Sequence, residues 1–218
     1  HNSTSDHQIM HRSNVLQLQP SQIEKASKIA ANALITDPVF SYLTPDDPEL
    51  RFQALCWLTS RLMAYCSYYG HVYTTSDLQG VAAWLPPSGK FSTDLLQQLK
   101  MLLQLELYKL PVKMGWTRLA RWLNVLYIIE KAQQQDMANS PYWDLGLMVV
   151  QPESQGQGIG SQLLQPILHR TSDEGLPCSV VTATELAVQF YQKNGFEITR
   201  KQQLADDAPP FWILRRNP

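Results

Sequence analysis

Between residues 147 and 160 the chain reads Leu-Met-Val-Val-Gln-Pro-Glu-Ser-Gln-Gly-Gln-Gly-Ile-Gly, an apolar, β-branched run that leads through three glycines into a helical pattern. Few folds accept such a passage. It predicts a buried strand, a tight loop and a helix in immediate succession, the unit from which α/β domains are assembled. Glycine at 156, 158 and 160 lets the backbone turn sharply and come close to a ligand. The first amides of the following helix have no intrahelical partner, and the helix dipole favours an anion there. The stretch therefore has the physical outline of a pyrophosphate cradle. A phosphate-binding Walker loop needs Lys before its Ser or Thr, and here Ser161 follows Gly160 directly. A dinucleotide fingerprint needs its third glycine one residue later. On glycines alone a structural turn remains an open reading.

The flanking pattern is mixed α/β (α+β). Apolar alternation and turn signals predict strands at 15–19, 71–75, 81–85, 142–150, 178–182, 196–204 and 211–215. Helical spacing predicts helices from residue 20, over 48–69, 92–110, 116–135, 158–174 and 185–193, with Thr36-Asp37-Pro38 and Pro111 as breaks. These elements fit a three-layer fold with a mixed central sheet of about seven strands flanked by helices. Residues 1–13 are polar and unpatterned and read as a disordered tail; 14–218 read as a single domain. Two helical stretches interrupt the strand order as an insertion at about 91–136. Leu95, Leu99, Leu102, Leu103 and Leu110 recur at helix spacing in the first; Leu119, Leu123, Leu126 and Tyr127 share a face of the second. Whether this pair lies over the active-site side of the sheet or packs as ordinary helices stays open.

Composition narrows the partners. A net charge of -1 and a pI near 6.6 give no basic footprint, so nucleic acid is not expected. Cys56, Cys66 and Cys178 are odd in number and lie in apolar stretches, which suggests core packing rather than disulfides, and no His/Cys spacing suggests a metal. The apolar run 123–129 is far short of the roughly 20 residues that a membrane span requires, so a soluble, cytoplasmic protein is expected.

Gln155-Gly156-Gln157-Gly158-Ile159-Gly160 matches the Q/R-x-x-G-x-G/A loop of the GCN5-related N-acetyltransferases, and Phe190-Tyr191-Gln192-Lys193-Asn194-Gly195-Phe196 resembles their F-Y-x-x-x-G-F segment. The two motifs stand in the right order, separated by a helix and a strand. A looser similarity, in Gly80-Val-Ala-Ala-Trp-Leu-Pro-Pro and the Leu-rich insertion, points to the branch that includes puromycin N-acetyltransferase.

The resemblance implies a metal-free acyltransferase that takes acetyl-CoA as cosubstrate and acetylates a small-molecule amine; a non-catalytic acyl-CoA-binding or sensory module is the alternative. A homodimer is allowed, but no motif in the sequence supports one. It places the pantetheine along Met148, Val149 and Val150. It places the pyrophosphate on the loop from Gln155 through Gly156, Gln157, Gly158, Ile159 and Gly160 to Ser161. The amide of Met148 or Val149 would polarise the thioester carbonyl. Tyr191 would be the general acid for the leaving thiolate. Asp144 stands eleven residues before Gln155, where relatives carry a Glu that serves as base. Strand alternation would set Asp144, Gly146, Met148 and Val150 on one face. Glu185 and His71 are alternative bases. The chain departs from the pattern at Val181-Thr182 and at Ala187, where relatives carry Glu-Thr and a pantetheine-binding Asn.

Overall fold

The computed structural model describes residues 14–89 and 95–218. The expected tail at 1–13 and the start of the expected insertion, 91–94, lie outside the described residues. The first part of the chain forms β1 (Val15–Gln17), α1 (Ile23–Leu34), α2 (Pro38–Leu43), α3 (Pro48–Tyr68), β2 (Val72–Thr75) and β3 (Gly80–Leu85). Three helices follow, α4 (Leu95–Gln104), α5 (Leu110–Met114) and α6 (Trp116–Asp136). The chain then runs through β4 (Trp143–Val150), α7 (Ile159–Glu174), β5 (Cys178–Thr182), α8 (Glu185–Lys193), β6 (Glu197–Gln203) and β7 (Pro210–Arg216).

The strands make one mixed seven-stranded sheet in the order β1-β2-β3-β4-β5-β7-β6. Among the described residues only β4 and β5 are parallel neighbours. Helices cover both faces. On one face α7 lays down a stripe of Ile159, Leu163, Leu164, Ile167 and Leu168, which packs with Val188 and Tyr191 of α8 on Trp84, Leu145, Val180 and Leu214. On the other face α1 presents Ala26, Ile29 and Ala30, with Met63 and Cys66 of α3, to Val81, Ala83, Leu147 and Val149. The small residues of α1 let its backbone approach the sheet. Further along that second face, Leu43 of α2 and Val125 and Ala132 of α6 pack on Phe211 and Ile213.

Asp37-Pro38 ends α1 as expected, but it also starts α2, a helix that the sequence expectation lacked. The Asp37 carboxylate accepts from the amides of Val39 and Phe40, and Pro38 fills the first helical position, where no donor is needed. Pro111 likewise opens α5 rather than breaking a helix; the break falls earlier, at Glu106, whose φ is 55°. The expected apolar face of α6 is also turned the other way. Leu123, Leu126 and Tyr127 are exposed, whereas Val125, Ala132 and Gln133 are buried against the sheet. Helix α6 holds α2 by its carbonyl end: Arg118, Arg121 and Trp122 donate to the oxygens of Thr44, Tyr42 and Leu43.

Candidate active site

The parallel pair is short. Trp143, Asp144 and Leu145 of β4 stand opposite Cys178, Ser179 and Val180 of β5, and beyond them the strands part. At the same place β4 slips against β3: Trp84 faces Leu145 while Ala83 faces Leu147, so Gly146 is the extra residue of a β-bulge. The bulge reverses which way the backbone points. Before it, Trp143 N–H bonds to Pro177 O, toward β5. After it, Gln151 N–H bonds to Gln79 O, toward β3. Counting back in twos from Gln151 assigns Val149 and Leu147 to the β3 ladder and turns the N–H and C=O of Met148 and Val150 toward the fork. Two of the three residues expected to pair with pantetheine therefore face it, and Val149 does not. The amide of Val149 is spent on β3 and is not aimed at the thioester carbonyl.

The bulge also overturns the expected shared face. Asp144 pairs with Leu85 and lies on the side of α3 and α6, while Met148 and Val150 pack against the α7 core. Period-two alternation holds only within a regular pleat, and one inserted residue exchanges the faces.

Beyond the strand, Gln155 donates its side-chain amide to Val150 O at 3.1 Å and so folds the loop back onto β4. Gly156 and Gly158 both have φ 79°, a region costly for other residues, and a Cβ at either would meet nothing within 4 Å. Helix α7 begins at Ile159 with no side-chain cap and no acidic residue in its first turn. Among the described residues, the amides of 156–161 donate to no protein acceptor. The 156–158 segment is solvent-exposed. Exposed, unpaired amides at a dipole's positive end fit a diphosphate.

Gly160 is required for a different reason. A Cβ there would lie 3.0 Å from the Phe190 ring and 3.2 Å from Met148 Cε. The two motifs are thus in contact, and Asn194 stitches them by donating to Ser161 Oγ (3.2 Å) and Phe190 O (2.9 Å).

Tyr191 is buried on the α7 side, with the rings of Phe190 and Phe196 at 5.1 and 5.5 Å. Burial pushes its pKa well above the usual phenol value, so the hydroxyl stays protonated at neutral pH. Asp144 is half-buried on the opposite face, two residues before exposed Gly146. Its Oδ1 accepts from the side-chain amide of Gln133 at 3.3 Å, and that amide also donates to Ser179 Oγ at 3.1 Å.

The alternative bases fare differently. His71 lies against Trp143 on the α7 side at the start of β4, with ring centroids 4.8 Å apart. Burial lowers its pKa, and it is not brought to the fork. Glu185 is exposed in the first turn of α8. Thr184, not Ala187, occupies the strand–helix junction, where its hydroxyl accepts from Ala187 N at 3.2 Å; Ala187 itself packs against the α7 core. Gln133 and Ser179 were missed in the sequence. The only signal for Gln133 is its place on the Val125–Ile129–Ala132 stripe, which is informative only once that stripe is known to be the buried one. Among the described residues no cluster of His, Cys, Asp or Glu can hold a metal, and no helix is long and apolar enough to cross a membrane.

A sequence profile of the acetyltransferase (GNAT) domain matches residues 123–198, which contain both motifs. An uncharacterized N-acetyltransferase of Schizosaccharomyces pombe is 23% identical over 207 residues, 92% of this chain and 82% of that one. A peptidyl-lysine N-acetyltransferase of Salmonella typhimurium is 34% identical over 67 residues, 31% of this chain and 45% of its own length. Among solved structures, an agmatine N-acetyltransferase in its apo form superposes with a TM-score of 0.65, at 14% identity, covering 94% of this chain and 98% of that one.

Proposed function

We propose that the chain is an N-acetyltransferase of the GCN5-related superfamily, whose domain profile matches residues 123–198, and that it acetylates the primary amine of a small molecule from acetyl-CoA, by direct attack in a ternary complex. One observation carries this reading: the uncapped amides of α7 run on, through the Gln155 loop, into the Met148 and Val150 edge of the fork. Together they form one continuous track for a diphosphate and an extended, amide-bearing chain. Acetyl-CoA supplies the activated acyl group.

The residues divide by face. The Met148 N–H donates to the carbonyl oxygen as negative charge develops there, an interaction that grows in the transition state. Asp144, on the α3 and α6 side, takes the proton from the amine as nitrogen bonds to the carbonyl carbon. Tyr191, on the α7 side, gives its proton to the sulfur as the C–S bond breaks. Base and acid thus stand on opposite sides of the sheet, which suits an acceptor that enters over exposed Gly146 while the thiol leaves toward α7.

The small-amine assignment is supported by the likeness to the agmatine enzyme and by the near-neutral charge of this chain. The test follows free thiol while agmatine, aliphatic and aryl alkylamines and a lysine peptide are offered in turn; the peptide covers the activity named for the Salmonella relative. A small amine is expected to give the highest kcat/KM. Tyr191→Phe and Asp144→Ala are each expected to lower kcat by about 10²-fold or more, the usual scale for a lost acid or base, with CoA affinity unchanged. If both variants turn over like the parent, Tyr191 is not the acid and Asp144 is not the base. CoA binding without thiol release for any amine would instead mark a non-catalytic acyl-CoA-binding module.

A further inference from the structure

Gln133 is a buried amide, 5% exposed, on a helix whose other sheet-facing residues are mainly apolar. Burying such a group is unfavourable unless it is fully hydrogen-bonded. Its nitrogen reaches two strands at once, Asp144 of β4 and fully buried Ser179 of β5. Those two residues are direct neighbours in the last paired stretch before the fork. The amide nitrogen carries two protons, one for each of these oxygens. Helix α6 is thereby connected to the point where the sheet divides.

We propose that Gln133 is a positioning residue, holding the Asp144 carboxylate ionised and aimed along the α6 side of the fork while pinning β4 to β5 at the point where they separate. The catalytic part of this inference rests on Asp144 being the base. The surroundings of Asp144 make the amide influential. Among the described residues, Leu85 flanks it from β3, Ser179 from β5 and Gln133 from α6, and Cys66 of α3 is a titratable group that feels its charge. Burial, with the charge of Asp144 as a smaller cause, pushes the Cys66 thiol well up, so it stays neutral wherever Asp144 titrates. Donation from Gln133 favours the charged carboxylate, and its loss raises the carboxyl pKa.

The experiment is a ¹³C-carboxyl NMR titration of the whole protein, with Asp144 assigned by its disappearance in Asp144→Asn. In Gln133→Leu the Asp144 midpoint is expected to rise by about one pH unit, the scale of a hydrogen bond to a charged group. Ser179→Ala leaves the Asp144 contact in place and is expected to move the midpoint little. If Gln133→Leu does not fold, Gln133→Asn keeps the amide but is too short to reach and should give the same rise. An unchanged midpoint overturns the proposal, and so does an equal shift in Ser179→Ala, which would reduce Gln133 to a strand tie. Turnover of Asp144→Asn is read separately. If it equals that of the parent, the base reading fails while the clamp stands; if it collapses and the Gln133 midpoint is unmoved, the clamp fails alone.

Discussion

Helices α7 and α8 both follow a strand of the parallel pair and pack on the same face, yet they start in opposite ways. Helix α8 is closed: Thr184 caps the amide of Ala187, and Glu185 sits in the first turn where the dipole welcomes it. Helix α7 starts at a glycine with neither a side-chain cap nor an acid. It forgoes about 1 kcal/mol for the cap and some tenths more for the missing charge. Burial makes up the difference. Leu163, Leu164, Ile167 and Leu168 are 0–3% exposed, and each fully buried aliphatic side chain is worth about 1.5–3 kcal/mol. The packing of α7 is therefore sufficient to hold a helix whose first turn is unsatisfied. An end that stability would have capped is left bare where the proposed function needs an anion.

The comparison breaks most visibly if α7 is given the negative charge that α8 has. Gly158→Asp sets a carboxylate within reach of the proposed diphosphate. Like charges about 4 Å apart repel by about 4 kcal/mol at an effective dielectric of about 20, and salt reduces this. CoA affinity by calorimetry is expected to fall about 100-fold or more. Gly158→Asn imposes the same left-handed backbone without the charge, and should lose less than about tenfold. Equal losses in the two variants would show that the backbone, not the field at the helix start, governs binding.

A second substitution sharpens the contrast by separating the glycines of α7 from one another. Gly156 and Gly158 are needed for their φ, but Gly160 is needed for space, with Phe190 and Met148 at 3.0–3.2 Å from any added Cβ. Gly160→Ala is expected to destabilise the fold by about 1–3 kcal/mol in urea unfolding, the usual range for overpacking. It should also lower kcat, because Phe190 moves together with Tyr191. Unchanged stability would mean that Phe190 yields freely, and the link between the two motifs would lose its physical basis.

Much of this site was legible because it is built from local chemistry. The strand, three glycines and helix account for the positive φ values and the unpaired amides of the candidate cradle, both properties of consecutive residues. Strand β5 and helix α8 fall at their expected bounds for the same reason. What the sequence hid depends on register between distant segments. Gly146 looked like one more residue of a regular strand, and only its pairing with β3 makes it a bulge that moves Asp144 to the other face. On α6 the leucine face was expected inside, but Val125 and Ala132 pack on β7 instead and Gln133 finds partners on β4 and β5. Asp37-Pro38 carried both a stop and a start signal, and only the stop was read.

The smallest expected effect tests the closed half of the comparison. Thr184→Ala removes the one side-chain acceptor at the start of α8. The Ala187 amide then turns to water, or stays unpaired in a half-buried position, at a cost of about 1 kcal/mol. Differential scanning calorimetry should record a Tm lower by roughly 2–4 °C, the shift such a loss produces in a chain of this size. CoA affinity should not change, since Thr184 satisfies its own helix and the proposed anion site is at α7. If instead affinity falls with stability barely moved, the hydroxyl reaches the ligand as well as its helix. The two helix starts would then be parts of a single site, and the difference between them one of degree.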